Sequence, residues 1–236
     1  KITPKFNITY NGHSVNLDRD YTITKEENND RAGNATITIG AKKNGNYSGD
    51  REITFTIEPA SLEKATVTLD SESVPYDGAE HPPKITVTMD GAAKPLELDT
   101  DYTIEYSREG NPSADFTSAG VIECIVKGKG NYSGVAAALT FTINKIPITI
   151  NPNVLPVAKD RPYDGTDQVE VDVTFSGVLG DDDVKLASMG TISSPNVGSY
   201  GTVDLIDPVL GGEDGKNYEL APVKDQKLKA PVNIGL

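Results

Sequence analysis

Three segments alternate apolar with polar residues over five or more positions: Ala65-Thr66-Val67-Thr68-Leu69, Ile85-Thr86-Val87-Thr88-Met89 and Val169-Glu170-Val171-Asp172-Val173-Thr174-Phe175. A period of two places every second side chain on one face, the signature of a strand with one side buried. No long stretch carries a helical period. Asn11-Gly12, Asn44-Gly45, Asp77-Gly78 and Asp90-Gly91 punctuate the pattern, and such pairs supply the positive φ angles of tight turns. The middle of the chain reads as strands near 64–69, 72–76, 84–89, 95–98, 101–107, 119–127 and 136–143. Seven short strands is the immunoglobulin-like number. The expected fold class is all-β, with tandem Ig-like β-sandwich modules in an elongated array. The alternative is a set of β-grasp-like modules, whose helix would have to come from Gly180–Ala187.

The pattern recurs because the chain is duplicated. Asp20-Tyr21-Thr22-Ile23 returns as Asp101-Tyr102-Thr103-Ile104, Gly45-Asn46-Tyr47-Ser48-Gly49 as Gly130-Asn131-Tyr132-Ser133-Gly134, and Thr54-Phe55-Thr56-Ile57 as Thr140-Phe141-Thr142-Ile143. The offsets are 102 − 21 = 81, 132 − 47 = 85 and 143 − 57 = 86, so the order of motifs is shared and only loops differ. Three modules are expected: 1–58, partial; 59–144, complete; and 145–236, divergent. Pro4-Lys5 aligns with Pro83-Lys84, which leaves the first module without the two leading strands of the second. Excision of the fragment and closure by a neighbouring chain both account for that. The third module keeps Tyr163-Asp164-Gly165, matching Tyr76-Asp77-Gly78, and carries Asn196-Val197-Gly198 and Asn217-Tyr218; Lys227–Val232 offers a last strand. Junctions at Glu58-Pro59 and Lys145-Ile146-Pro147 are short and contain proline, which makes them stiffer than a Gly/Ser coil. Three such units would form a rod on the order of 100 Å long.

Composition narrows the partners. The 236 residues hold 35 acids against 22 Lys and Arg, a net charge of −13. That balance opposes binding to nucleic acid or to an anionic membrane, both of which need positive patches. No apolar run is long enough to span a bilayer as a helix. A single cysteine cannot form a disulfide within the chain, and cysteine poverty leaves the compartment open.

The Tyr-Asp-Gly start, the Asp-Tyr-Thr-Ile strand, the Ala32-Gly33 and Ala119-Gly120 pairs and the Gly-Asn-Tyr-Ser-Gly hairpin before Thr-Phe-Thr-Ile resemble the repeat modules of bacterial cell-surface proteins and adhesins. The third module resembles the YDG domain family. The resemblance implies a secreted or cell-wall location, a role as stalk or in adhesion, a monomeric fragment, and host protein or glycan as the partner. It brings no catalytic residues and no cofactor.

Each candidate site competes with a structural explanation. Cys124 falls on Ile37 at an offset of 87, flanked by Ile122 and Val126 where the first module has Ala35 and Ile39; it reads as core filler, since a thiol among apolar neighbours has little thiolate character. His13 and His81 sit in turn-rich segments of different modules and form no triad or metal spacing. Asp181, Asp182 and Asp183 are the calcium candidates, followed by Asp18 with Asp20 and Asp99 with Asp101, although no calcium-loop spacing surrounds them. Tyr21/Tyr102, Tyr47/Tyr132 and Tyr76/Tyr163 are repeat-equivalent, and so framework rather than a sugar-stacking platform. The expected function is a non-enzymatic stalk or adhesion region, or alternatively a ligand-binding module acting through the third unit.

Overall fold

The computed structural model describes residues 1–221 and 225–236. Among them the chain is all-β, and the only helical elements are two single 3-10 turns, Leu62–Lys64 and Gly215–Asn217. A β-grasp module needs a packed helix, and none is longer than three residues here. The 180–187 segment folds otherwise: Asp183 donates its N–H to Asp214 Oδ2, and Ala187 donates to the Val209 carbonyl, drawing Lys185–Leu186 into a short strand.

The described chain falls into two compact units. One comprises Lys1–Asp70, Ile85–Tyr106 and Cys124–Leu139; the other comprises Ser71–Lys84, Ser107–Glu123 and Thr140–Leu236. In the first unit, β1 (Ile8–Tyr10) and β2 (His13–Val15) form a hairpin through Asn11 and Gly12, both at positive φ. Strands β3 (Tyr21–Glu27), β4 (Gly33–Ala41) and β5 (Asp50–Ile57) make an antiparallel meander with β5 at its edge. The unit continues into β6 (Ala60–Ser61), the turn at 62–64 and β7 (Thr66–Leu69). Strand β8 (Ser73–Pro75) belongs to the other unit, and β9 (Ile85–Thr88) pairs antiparallel with β7.

Strand β10 (Tyr102–Arg108) folds back on β11 (Asn111–Pro112). Strands β12 (Gly120–Gly128), β13 (Tyr132–Ser133) and β14 (Leu139–Asn144) follow. The main sheet of this repeat runs in the order β11-β10-β12-β14-β8. The strand expected at 95–98 does not form: Leu98 makes only an isolated bridge to Tyr102, and a turn follows it. Leu96 donates once to the Val87 carbonyl, but the Asp101 carboxylate takes the Glu97 N–H, and the Glu97 carbonyl accepts from Thr100 and Asp101. Local side-chain bonds of this kind compete with a ladder. The first repeat has the same turn: Asp20 accepts the Asn16 N–H, and Asp18, like Asp99, sits at positive φ.

The third module begins with β15 (Ile146–Ile150) and is built from shorter pieces. Val169–Phe175 does not make one strand. Gln168–Val169 pairs with Gly190–Thr191, while Val171–Asp172 pairs with Val157–Ala158. Alternation survives the change of partner, because Val169 and Val171 both point into one core with Ile192, Val203, Leu205 and Val232. The last strand is Val232–Gly235 rather than 227–232; Pro231 separates it from Gln226–Leu228.

Two pairings recur between the second and third modules. Ser73–Pro75 lies parallel to the end of β14, and Tyr76 donates to the Asn144 carbonyl at 2.9 Å. Arg161–Pro162 lies parallel to Val232–Gly235, and Tyr163 donates to the Gly235 carbonyl at 2.8 Å. Likewise β6 pairs parallel with β13 through Ala60 and Tyr132, as β15 pairs with Tyr218–Leu220 through Ile146 and Tyr218. Two residues after each start comes a fully buried aliphatic, Leu62 or Ile148.

Candidate functional site at the module junctions

The sequence candidates do not converge on a site. Cys124 is fully buried in β12 with Ile122 and Val126, as Ile37 is with Ala35 and Ile39. Burial pushes its thiol up to about 11, so it is a poor nucleophile. His13 is exposed on β2. His81 Nε2 lies 2.7 Å from Asp77 Oδ1, whose carboxyl is held below its ordinary range first by the Ala79 N–H and then by this histidine. The three calcium candidates diverge. Asp181 is exposed, Asp182 accepts two tyrosine hydroxyls, and Asp183 pairs with Lys185 at 2.9 Å. Among the described residues, no group of three or more His, Cys, Asp or Glu is placed to hold a metal ion. No helix of the structure is long and apolar enough to cross a membrane.

What the structure does bring together lies where one repeat meets the next. Strand β5 ends at Ile57 and β6 begins at Ala60; β14 ends at Asn144 and β15 begins at Ile146. At the first junction Asn131 of the Gly-Asn-Tyr hairpin turns its side chain onto the preceding repeat, where its Oδ1 accepts the Ala32 N–H at 2.8 Å. Its own carbonyl accepts the Ala60 N–H at 2.9 Å. At the second junction Asn217 Oδ1 accepts the Ala119 N–H, also at 2.9 Å. Ala32-Gly33 and Ala119-Gly120 are the same repeat position, and each glycine has positive φ, 117° and 135°. Each asparagine precedes a tyrosine that starts a strand. The two junctions therefore use one device: an asparagine ahead of a strand clamps the backbone just before a glycine of the previous module.

The second junction is the more buried. Asn217 is 2% exposed, and Tyr218 and Tyr76 pack edge to face with ring centres 5.6 Å apart. Both hydroxyls donate to Asp182 Oδ2, from Tyr76 at 2.9 Å and from Tyr218 at 2.5 Å. The Tyr218 oxygen also accepts the Leu179 N–H. Burial, and then the Asp182 hydrogen bond and charge, raise both phenols to about 12. On the other side Arg108 fixes the loop that presents Ala119: its guanidinium donates to the carbonyls of Asp115, Ser118 and Ala119 at 2.9, 2.7 and 3.3 Å. Burial pushes the Asp115 carboxyl up. The Ser118 N–H and hydroxyl, the Thr117 N–H and the Arg108 charge outweigh it and hold the group at about 2.

Tyr163 departs from the framework role expected of it. Tyr76 is 5% exposed because Tyr218 and Asp182 cover it, whereas Tyr163 is 53% exposed. The clamping asparagines were not among the candidate residues. The available signal was Asn-Tyr at 46–47, 131–132 and 217–218, an asparagine that the turn alone does not demand.

Residues 144–225 match the family model described as the YDG domain. That YDG match takes in Asp182, Asn217 and Tyr218, which form the third module's side of the junction. No curated protein compared with the chain matches it. Among solved structures, sidekick-1 immunoglobulin domains 1–5 align at 11% identity with a TM-score of 0.26, over 96% of this chain and 51% of that one. Protocadherin gamma B2 extracellular cadherin domains 3–6 align at 11% identity with a TM-score of 0.24, over 99% of this chain and 69% of that one. The chain spans about half the length of the sidekick-1 structure. The all-β character rests on the strands themselves.

Proposed function

We propose that the chain is a non-enzymatic structural region of a bacterial cell-surface or secreted protein, a stalk that spaces or presents an adhesive part. The observation that carries this reading is the repeated clamp. Asn131 on Ala32 and Asn217 on Ala119 fix each repeat to the one before it by equivalent bonds. A spacer needs defined joints more than it needs a cleft. The YDG match and the tandem duplication support the surface location. Small-angle scattering of the chain beside its Asn131→Ala/Asn217→Ala variant tests the reading. A stalk with set joints gives a narrower distribution of particle dimensions than the variant, and identical distributions would remove the basis for it.

A second reading, a module that binds host protein or glycan through the third unit, draws on the exposed run Val154, Leu155 and Val157 in that unit. Scattered exposed apolar residues are ordinary, but a contiguous set marks contact surfaces. Binding of the chain, but not of a Leu155→Asp/Val157→Asp variant, on an array of matrix proteins and glycans would favour it. Silence across the array favours the stalk.

A further inference from the structure

The meander and hairpins of the chain are antiparallel, yet the strands that open and close a module pair in parallel. In the second module β6 lies on β13 with Ala60 opposite Tyr132, and β8 lies on β14 with Pro75 opposite Asn144. In the third, β15 lies on Tyr218–Leu220 with Ile146 opposite Tyr218, and Arg161–Pro162 lies on Val232–Gly235 with Pro162 opposite Gly235. The two modules keep this arrangement although their sequences have diverged. Parallel ladders are slightly less stable per residue than antiparallel ones, so stability does not account for their use at these places.

The direction of pull does. In an antiparallel pair the start of one strand lies beside the end of the other, and drawing those two ends apart opens the ladder one rung at a time. In a parallel pair they lie at opposite ends, so the same pull runs along the strands and strains all the rungs together. A module under tension is pulled at the start of its opening strands and at the end of its closing strand. The β8–β14 ladder is bounded by the Thr142 N–H on the Glu72 carbonyl at 3.0 Å and the Tyr76 N–H on the Asn144 carbonyl at 2.9 Å. Strand β8 is an edge strand held to its sheet through β14, so these rungs carry its attachment. Side chains resist the same slip: Leu62 and Ile148, near the start of each module, are buried, and so is Ile143 within β14.

We infer that the second and third modules are built to bear tension along the chain, with the parallel ladders of β8 on β14 and of Arg161–Pro162 on Val232–Gly235 loaded in shear. The inference rests on the reading of the chain as a stalk for the source of the tension. The shear geometry belongs to each module by itself.

Forced extension of the whole chain, held by handles on introduced cysteines in a Cys124→Ala background, tests it. Handles at Ser71→Cys and Asn144→Cys pull the β8–β14 ladder along its strands, whereas handles at Ser71→Cys and Thr140→Cys pull the same ladder apart from one end. All three positions are exposed. The rungs broken are the same, and forced unfolding reads the barrier rather than the equilibrium, so only the direction of the force distinguishes the two. The first pair should rupture at a severalfold higher force than the second, and the chain pulled through its two ends should release the second module near the higher value. Equal forces for the two pairs, or release near the lower value in the end-to-end pull, would overturn the inference. Either result would leave the scattering test of the stalk standing, so the two readings fail separately.

Discussion

Asn217 and Ala119 stand 98 positions apart and share one hydrogen bond, from the alanine N–H to the buried asparagine oxygen at 2.9 Å. Removing a partner inside a dry contact costs more than the bond contributes, because the remaining polar group is left desolvated. Asn217→Ala should therefore destabilise the chain by about 1–3 kcal/mol in urea denaturation. It should also speed hydrogen exchange at the Ala119 amide. Asn131 is exposed, so Asn131→Ala should cost at most about 1 kcal/mol. Equal losses at the two positions would contradict the difference in burial.

The Tyr76 and Tyr218 phenols, raised to about 12, make a prediction in alkali. A tyrosine whose folded pKa exceeds its unfolded value of about 10 gives stability that is intact below pH ~10 and is lost as the pH rises through the folded pKa. Absorbance at 295 nm should show the Tyr76 and Tyr218 phenols ionising only as the chain unfolds. Tyr76→Phe should remove one of these late ionisations and cost about 1.5–3 kcal/mol, the range for a hydrogen bond to a charged acceptor.

Asp115 behaves in the opposite sense. Its folded carboxyl sits at about 2, so the stability it gives is present above pH ~4 and is lost as the pH falls towards the folded value. Asp115→Asn should flatten the acid limb of the stability profile between those limits, measured by urea midpoints at a series of pH values. Arg108→Met should lower stability at neutral pH as well, because it frees three loop carbonyls.

Cys124 should not react with a thiol reagent such as dithionitrobenzoate until the chain unfolds, given its full burial and a thiol raised to about 11. Cys124→Ala should cost about 1 kcal/mol through lost packing. Rapid labelling of the native chain would contradict the core assignment.

Much of this was legible in the sequence wherever the repeat spoke twice. Ala35, Ile37 and Ile39 predicted the burial of Ile122, Cys124 and Val126 because alternation and offset agreed. The paired acids Asp18/Asp20 and Asp99/Asp101 were visible as a pattern, yet their work as turn formers depends on carboxylates reaching backbone N–H groups that no spacing displays. The same bonds removed the strand expected at 95–98. In the third module, alternation at Val169 and Val171 identified the buried face correctly but could not show that the partner strand changes at Glu170. Asn131 and Asn217 were hidden for a different reason. A hairpin explains an asparagine so readily that its contact with residues nearly 100 positions away leaves no local trace.

The clamp has a consequence for how such a chain can lengthen. Tandem duplication usually sets two copies side by side with no surface prepared for the other. Here a single copy already holds both members of the contact, the Ala-Gly backbone and the Asn-Tyr side chain, as the middle repeat shows by using Asn131 towards one neighbour and Ala119 towards the other. A newly copied repeat arrives with its joint already encoded, so growth in number requires no new interface to be selected.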